Sequence, residues 1–100
     1  MEGTVRAPRT RDLLRVLAAL SDENRFRIVV LLSTTGRALP SGEVGEALGL
    51  SPSLVSHHLS ILEAVGVVDR RKVGLCTMNA LRHEALTELI DLLSRLAPPS

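Results

Sequence analysis

Ser53, Ser56, His57 and Ser60 are the residues of this chain whose types and spacing best suit chemistry at a surface. Set on a helix at about 100° per residue, they share one arc with Glu63 and Ala64, while Leu54, Val55, His58, Leu59, Ile61, Leu62 and Val65 share the other. Short hydroxyl side chains let a helix approach a duplex closely and bond either phosphates or base edges, and a histidine beside them can donate to a guanine acceptor. With Ser51 at its start, this arc is a candidate DNA-reading face. The same composition also suits a solvated helix face that touches nothing. His58, on the apolar arc, is expected to be a hydrogen-bonded core residue rather than a ligand.

A basic cluster, Arg70-Arg71-Lys72, lies just before Gly74. On a projecting hairpin these cations would neutralise phosphates or enter a minor groove, whereas on a bare strand edge they would only guard against pairing with other chains. The chain carries 12 Lys and Arg against 11 Asp and Glu, a net charge of +1 that decides nothing by itself. Distribution says more: residues 47–62 contain no acid, so a local positive field can form beside the cluster.

Cys76 is the only cysteine, which excludes an internal disulfide or a Cys-x-x-Cys pair and fits a reducing compartment. As a strand residue it is expected to act as a small buried hydrophobe. His83 with Glu84 offers too few ligands for zinc, so neither a metal nor another cofactor is expected. No nucleophile–base pair or phosphate loop is visible, and an enzyme is not expected. No apolar run reaches the roughly 18 residues of a membrane span, so a cytoplasmic protein is expected.

These side chains need a scaffold, and the sequence predicts one. Residues 1–8 read as a disordered basic arm and residues 9–97 as one domain. A first helix over residues 9–20 carries Leu13, Val16, Leu17 and Leu20 on one face. Ser21 and Asp22 can cap a second helix, whose almost wholly apolar run over residues 26–32 predicts burial. Gly36 and Pro40 stop it, Ser41 is the expected N-cap of a short third helix ending near Gly49, and Ser51-Pro52 starts the fourth, which runs to Val65. Two strands, 67–72 and 75–80, flank a Val73-Gly74 turn. A last helix over residues 82–97 carries Leu86, Leu89, Ile90, Leu93 and Leu96 before Pro98 and Pro99. The fold class is mainly α with a small β-hairpin, in the order of a winged helix-turn-helix. With one aromatic residue in 100, the core must be aliphatic, and a chain this short is marginal alone. The two leucine stripes therefore suggest pairing across a two-fold axis, although they could instead close the monomer core.

The run Ala19-Leu20-Ser21-Asp22-Glu23-Asn24-Arg25-Phe26-Arg27-Ile28, and the later Glu46-Ala47-Leu48-Gly49-Leu50-Ser51-Pro52-Ser53-Leu54-Val55-Ser56-His57-His58-Leu59-Ser60-Ile61-Leu62, resemble the ArsR/SmtB family. With Ala64-Val65-Gly66-Val67-Val68 and Arg70-Arg71-Lys72-Val73-Gly74, the resemblance spans about residues 13–93. It implies a homodimeric repressor, joined by its first and last helices, that occupies an imperfectly palindromic operator in double-stranded DNA and leaves when a signal binds. The family's metal sensors place Cys-x-Cys near the third helix, but Pro40-Ser41-Gly42-Glu43-Val44 holds no thiol. Others place ligands around the last helix, where this chain has Leu81, Ser94 and Ala97 beside His83. The wing departs as well, since Leu75, Cys76, Thr77 and Met78 follow Gly74 where related sequences often carry a basic residue and aromatics. The inducer is unnamed by the sequence. A winged helix that docks a protein and never touches DNA is the rival reading.

Overall fold

The computed structural model describes residues 9–97, and the arm expected at residues 1–8 lies outside them. The chain runs α1 (Arg9–Leu20), α2 (Glu23–Thr35), β1 (Leu39–Pro40), α3 (Ser41–Leu48), α4 (Pro52–Ala64), β2 (Val68–Val73), β3 (Cys76–Leu81) and α5 (His83–Leu96). All five expected helices are present.

Helix α1 turns Leu13, Val16 and Ala19 inward, the i, i+3, i+6 positions of one face. Its last turn is closed by Ser21, whose Oγ donates to the Ala18 carbonyl at 2.7 Å. Asp22 then opens α2, its carboxylate accepting the Arg25 amide at 3.0 Å, as an N-cap should. The expectation that residues 26–32 are buried is corrected. Ile28, Val29 and Leu32 are buried, but Phe26 and Val30 are 53% and 45% exposed. A helix of radius near 5 Å cannot hide all sides against neighbours that lie on one, so an unbroken apolar run does not mean full burial.

The sheet has three strands in the order β1-β3-β2, all antiparallel, where only a hairpin was expected. Leu39 pairs with Asn79 and Pro40 with Met78, in a stretch the sequence marks only as a helix stop. Proline lacks the amide a ladder needs and so is tolerated only at such an edge. Leu39 is nonetheless buried and anchors the strand. Pro40, not Ser41, is the N-cap residue of α3, without a side-chain bond; Ser41 is already helical and uses its hydroxyl elsewhere. The hairpin turn is Gly74-Leu75, one residue later than expected, because Val73 pairs with Cys76. Gly74 has φ +63° and no non-glycine residue among those described has positive φ, the sign pattern of a II′ turn that matches strand twist.

The core draws Ile28 and Leu32 from α2, Val44 from α3, Val55, Leu59 and Leu62 from α4, Val67 and Val68 at the sheet, and Leu89 from α5. Each such aliphatic side chain, fully buried, contributes about 1.5–3 kcal/mol. Among the described residues no helix is long and apolar enough to cross a membrane.

Candidate nucleic-acid interface

Helix α4 is set by a close approach at its base. A Cβ on Gly45 would lie 2.9 Å from the Leu50 carbonyl oxygen and 3.2 Å from a Val55 methyl, so only glycine lets α3 cross this tightly. The Leu50 amide donates to the Gly45 carbonyl at 3.0 Å across the turn. Arg27 reaches over from α2, donating to the Leu48 carbonyl at 3.0 Å and to Asn24 Oδ1 at 3.1 Å, and so satisfies an orphan carbonyl at the end of α3. Ser51 Oγ accepts the Leu54 amide at 3.2 Å, and Pro52 occupies the first helical position.

Burial divides α4 nearly as its periodicity does. Val55, His58, Leu59 and Leu62 are buried, while Ser51, Ser53, Ser56, His57 and Ser60 are exposed. Leu54 departs from the expected apolar arc and is 45% exposed. His58 is held inside by Arg25, whose guanidinium lies 3.2 Å from His58 Nδ1 and whose Nε donates to the Ala19 carbonyl at 2.7 Å. Arginine has no acceptor, so Nδ1 must accept this bond and the ring proton sits on Nε2. Asp22 Oδ2 is 3.9 Å from the same nitrogen, too far for a hydrogen bond. The Arg25 amide, and after it the charge of Arg25, hold the Asp22 carboxyl below the ordinary carboxylate value. Helices α2 and α4 are thus tied by one arginine.

The three wing cations stand in different places. Arg70 is half-buried: its Nε donates to Asn79 Oδ1 at 2.9 Å and its Nη1 to Ser60 Oγ at 3.1 Å. Arg71 is exposed on the opposite face of β2 and pairs with Asp69 at 3.0 Å. Lys72 is exposed next to the tip. The tip itself is apolar, with Val73 61% and Leu75 fully exposed. Cys76 is exposed there, against the expectation of a buried thiol, because the shifted turn puts it at the first pair of the hairpin.

Sequence reasoning missed two residues of this region, Arg25 and Asn79. Asn79 is completely buried, and the two N–H donors of its amide are shared among the Leu39 carbonyl, Ser41 Oγ and the Thr77 carbonyl, each 3.0–3.2 Å from the nitrogen. Asparagine is depleted in strand interiors, so its presence in an otherwise apolar strand was the available signal.

Of the stripe residues, Leu13, Val16 and Leu89 are buried within the protomer and Leu20 and Leu86 partly so. Leu17, Ile90, Leu93 and Leu96 are exposed, and Leu20, Phe26, Val30, Leu86, Ile90 and Leu93 line one apolar groove between α2 and α5. Among the described residues no three His, Cys, Asp or Glu side chains cluster as a metal site would require.

Residues 22–70 match the model of the arsR family of bacterial regulatory proteins. The transcriptional activator HlyU of Vibrio cholerae is 33% identical over 81% of this chain and 73% of its own length. Against two curated resistance regulators, the chain spans 65% and 46% of the relative's length. An ArsR-like transcriptional regulator from Rhodococcus superposes with a TM-score of 0.79 at 28% identity, covering 90% of this chain and 83% of that one. The homodimeric winged helix-turn-helix DNA-binding domain of a Mycobacterium bovis protein superposes with a TM-score of 0.72 at 24% identity, covering 97% and 90%.

Proposed function

The chain belongs to the arsR family of bacterial regulatory proteins, and we propose that, like the relative named as an arsenical resistance operon repressor and unlike the activator HlyU, it represses transcription by occupying an operator as a homodimer. The observation that carries this reading is the outward face of α4. Directly after a tight turn it presents Ser53, Ser56 and His57, all exposed and with no acid on the helix before Glu63 near its end, and Arg71 and Lys72 stand on the adjoining wing. The serines and His57 meet base edges in the major groove, and the wing cations meet phosphates.

Dimerisation is supported by the exposed stripe Leu17, Ile90, Leu93 and Leu96, which a lone subunit would leave in water, and by the assembly named for the M. bovis neighbour. Two copies of α4 about 34 Å apart would read half-sites one helical turn apart, an imperfect palindrome. Two relatives are named for cadmium and arsenical resistance. This chain's α3 carries no thiol, and the reading assigns it a metal-independent operator affinity.

Selection of duplexes by the purified protein, followed by titration against salt, tests the proposal. A palindromic consensus is expected, bound with steep salt dependence. Arg71→Ala should weaken all sequences alike and lower the salt slope by about one, while Ser56→Ala should relax base preference. Failure to retain any duplex at low salt would sink the reading, and a wild-type slope after loss of Arg71 would remove the wing from it.

A further inference from the structure

Ser60 and Arg70, each read from sequence as a DNA contact, are bonded to each other in the protein itself, and behind them stands Asn79. The orientation of the Asn79 amide is fixed by chemistry. The Leu39 and Thr77 carbonyls, 3.0 and 3.2 Å from its nitrogen, can only accept, and the Arg70 Nε, 2.9 Å from its oxygen, can only donate. One buried side chain therefore binds β1, the first turn of α3 through Ser41, its own strand and, through Arg70, the neighbouring strand β2. Arg70 carries the linkage onward to Ser60, in the recognition helix.

We infer that Asn79 is a positioning residue for DNA binding, which through Arg70 and Ser60 braces the wing against α4 and sets the angle between the two elements that must meet one duplex. This rests on the DNA-binding reading above. At the base of the wing the buried Val67 and Val68, and the bond from the Val67 amide to the Leu62 carbonyl, also join β2 to α4. Beyond Arg70 the strand β2 is exposed on both faces, so the wing is a lever anchored at its base. A planar guanidinium bonded at two of its nitrogens restricts such a lever far better than a flexible ammonium would. The brace also separates the three cations by role: Arg70 spends two donors inside the protein, while Arg71, whose Nε is bonded to Asp69, and Lys72 are exposed and within reach of phosphates.

Arg70→Lys keeps the charge and removes the planar fork; Ser60→Ala removes the acceptor on α4 at an exposed position where folding is not at risk. Binding to the selected duplex should weaken about fivefold in each, and the double variant should be no weaker than either single, since both cut one link. The salt slope should stay that of wild type, because no phosphate contact is lost. Asn79→Leu should show the same loss; if it does not fold, the other pair decides. Wild-type affinity in Arg70→Lys, multiplying losses in the double variant, or a slope lowered by one would overturn the brace. Melting temperatures matching wild type in Ser60→Ala separate positioning from unfolding. Backbone ¹⁵N relaxation of the free protein reads the brace without DNA: the wing amides should be rigid in wild type and looser in Ser60→Ala and Arg70→Lys. Equal rigidity in all three would overturn it even where wild type bound no duplex, an outcome that would instead defeat the DNA-binding reading.

Discussion

At the scale of single residues, two positions near the turn are held by opposite constraints. Gly45 is constrained by space, since its missing Cβ is where the Leu50 carbonyl sits. Gly45→Ala should lower stability by about 1–3 kcal/mol in urea unfolding, with α3 and α4 forced apart. Asp22 is constrained by charge. Its carboxyl titrates below the ordinary value in the folded state because the Arg25 amide bonds the ionised form. A depressed carboxyl contributes its full stabilisation above the unfolded-state value, and loses it as pH falls toward the lowered folded one. Unfolding measured across the acid range should therefore show wild type losing stability faster than Asp22→Asn. The amide still caps the helix but does not titrate, so the two should lie close together near neutrality. Parallel acid limbs would refute the contribution of the ionised carboxylate.

Helix α4 has one buried and one exposed face, and substitutions should sort accordingly. Leu59, fully buried between α4 and the rest of the core, should cost about 2–5 kcal/mol on truncation to alanine, through lost transfer energy and the cavity left behind. Ser56, exposed on the opposite face, should cost less than about 0.5 kcal/mol on the same truncation. Urea titration of the two variants checks the contrast. A comparable loss at Ser56 would show that the outward face is structural. The face division also explains why Arg25 matters: it satisfies the one polar residue, His58, that the apolar face carries inward.

For the whole molecule, the unresolved demand is the apolar surface on α5 and its neighbours. Ile90, Leu93 and Leu96 are exposed in a helix whose remaining leucines, Leu86, Leu89 and Leu92, are buried in the core or packed against it. Pairing two copies would bury this face, and the two-fold axis would bring both copies of α4 to one side of the proposed duplex. Ile90→Glu combined with Leu93→Glu should give a folded monomer by sedimentation, with operator affinity greatly reduced. An unchanged dimer would place the interface elsewhere.

Most of the architecture could be read along the chain because it rests on local rules. Apolar spacing marks the first, fourth and last helices, an apolar run and the flanking cap and stop residues mark the second and third, Asp22 and Ser51 mark two helix starts, and Gly74 marks the hairpin within one residue. The two faces of α4 follow from a fixed 3.6-residue period, which needs no knowledge of neighbours. Contacts between segments distant in sequence carry no such period. The pairing of Leu39 with Asn79, the exposure of Phe26 and Val30, the clasp of Arg25 on His58, and the engagement of Arg70 by Asn79 and Ser60 were decided only when the chain closed on itself. Periodicity says which way a side chain points from its own helix or strand; what it meets there depends on how the other elements pack.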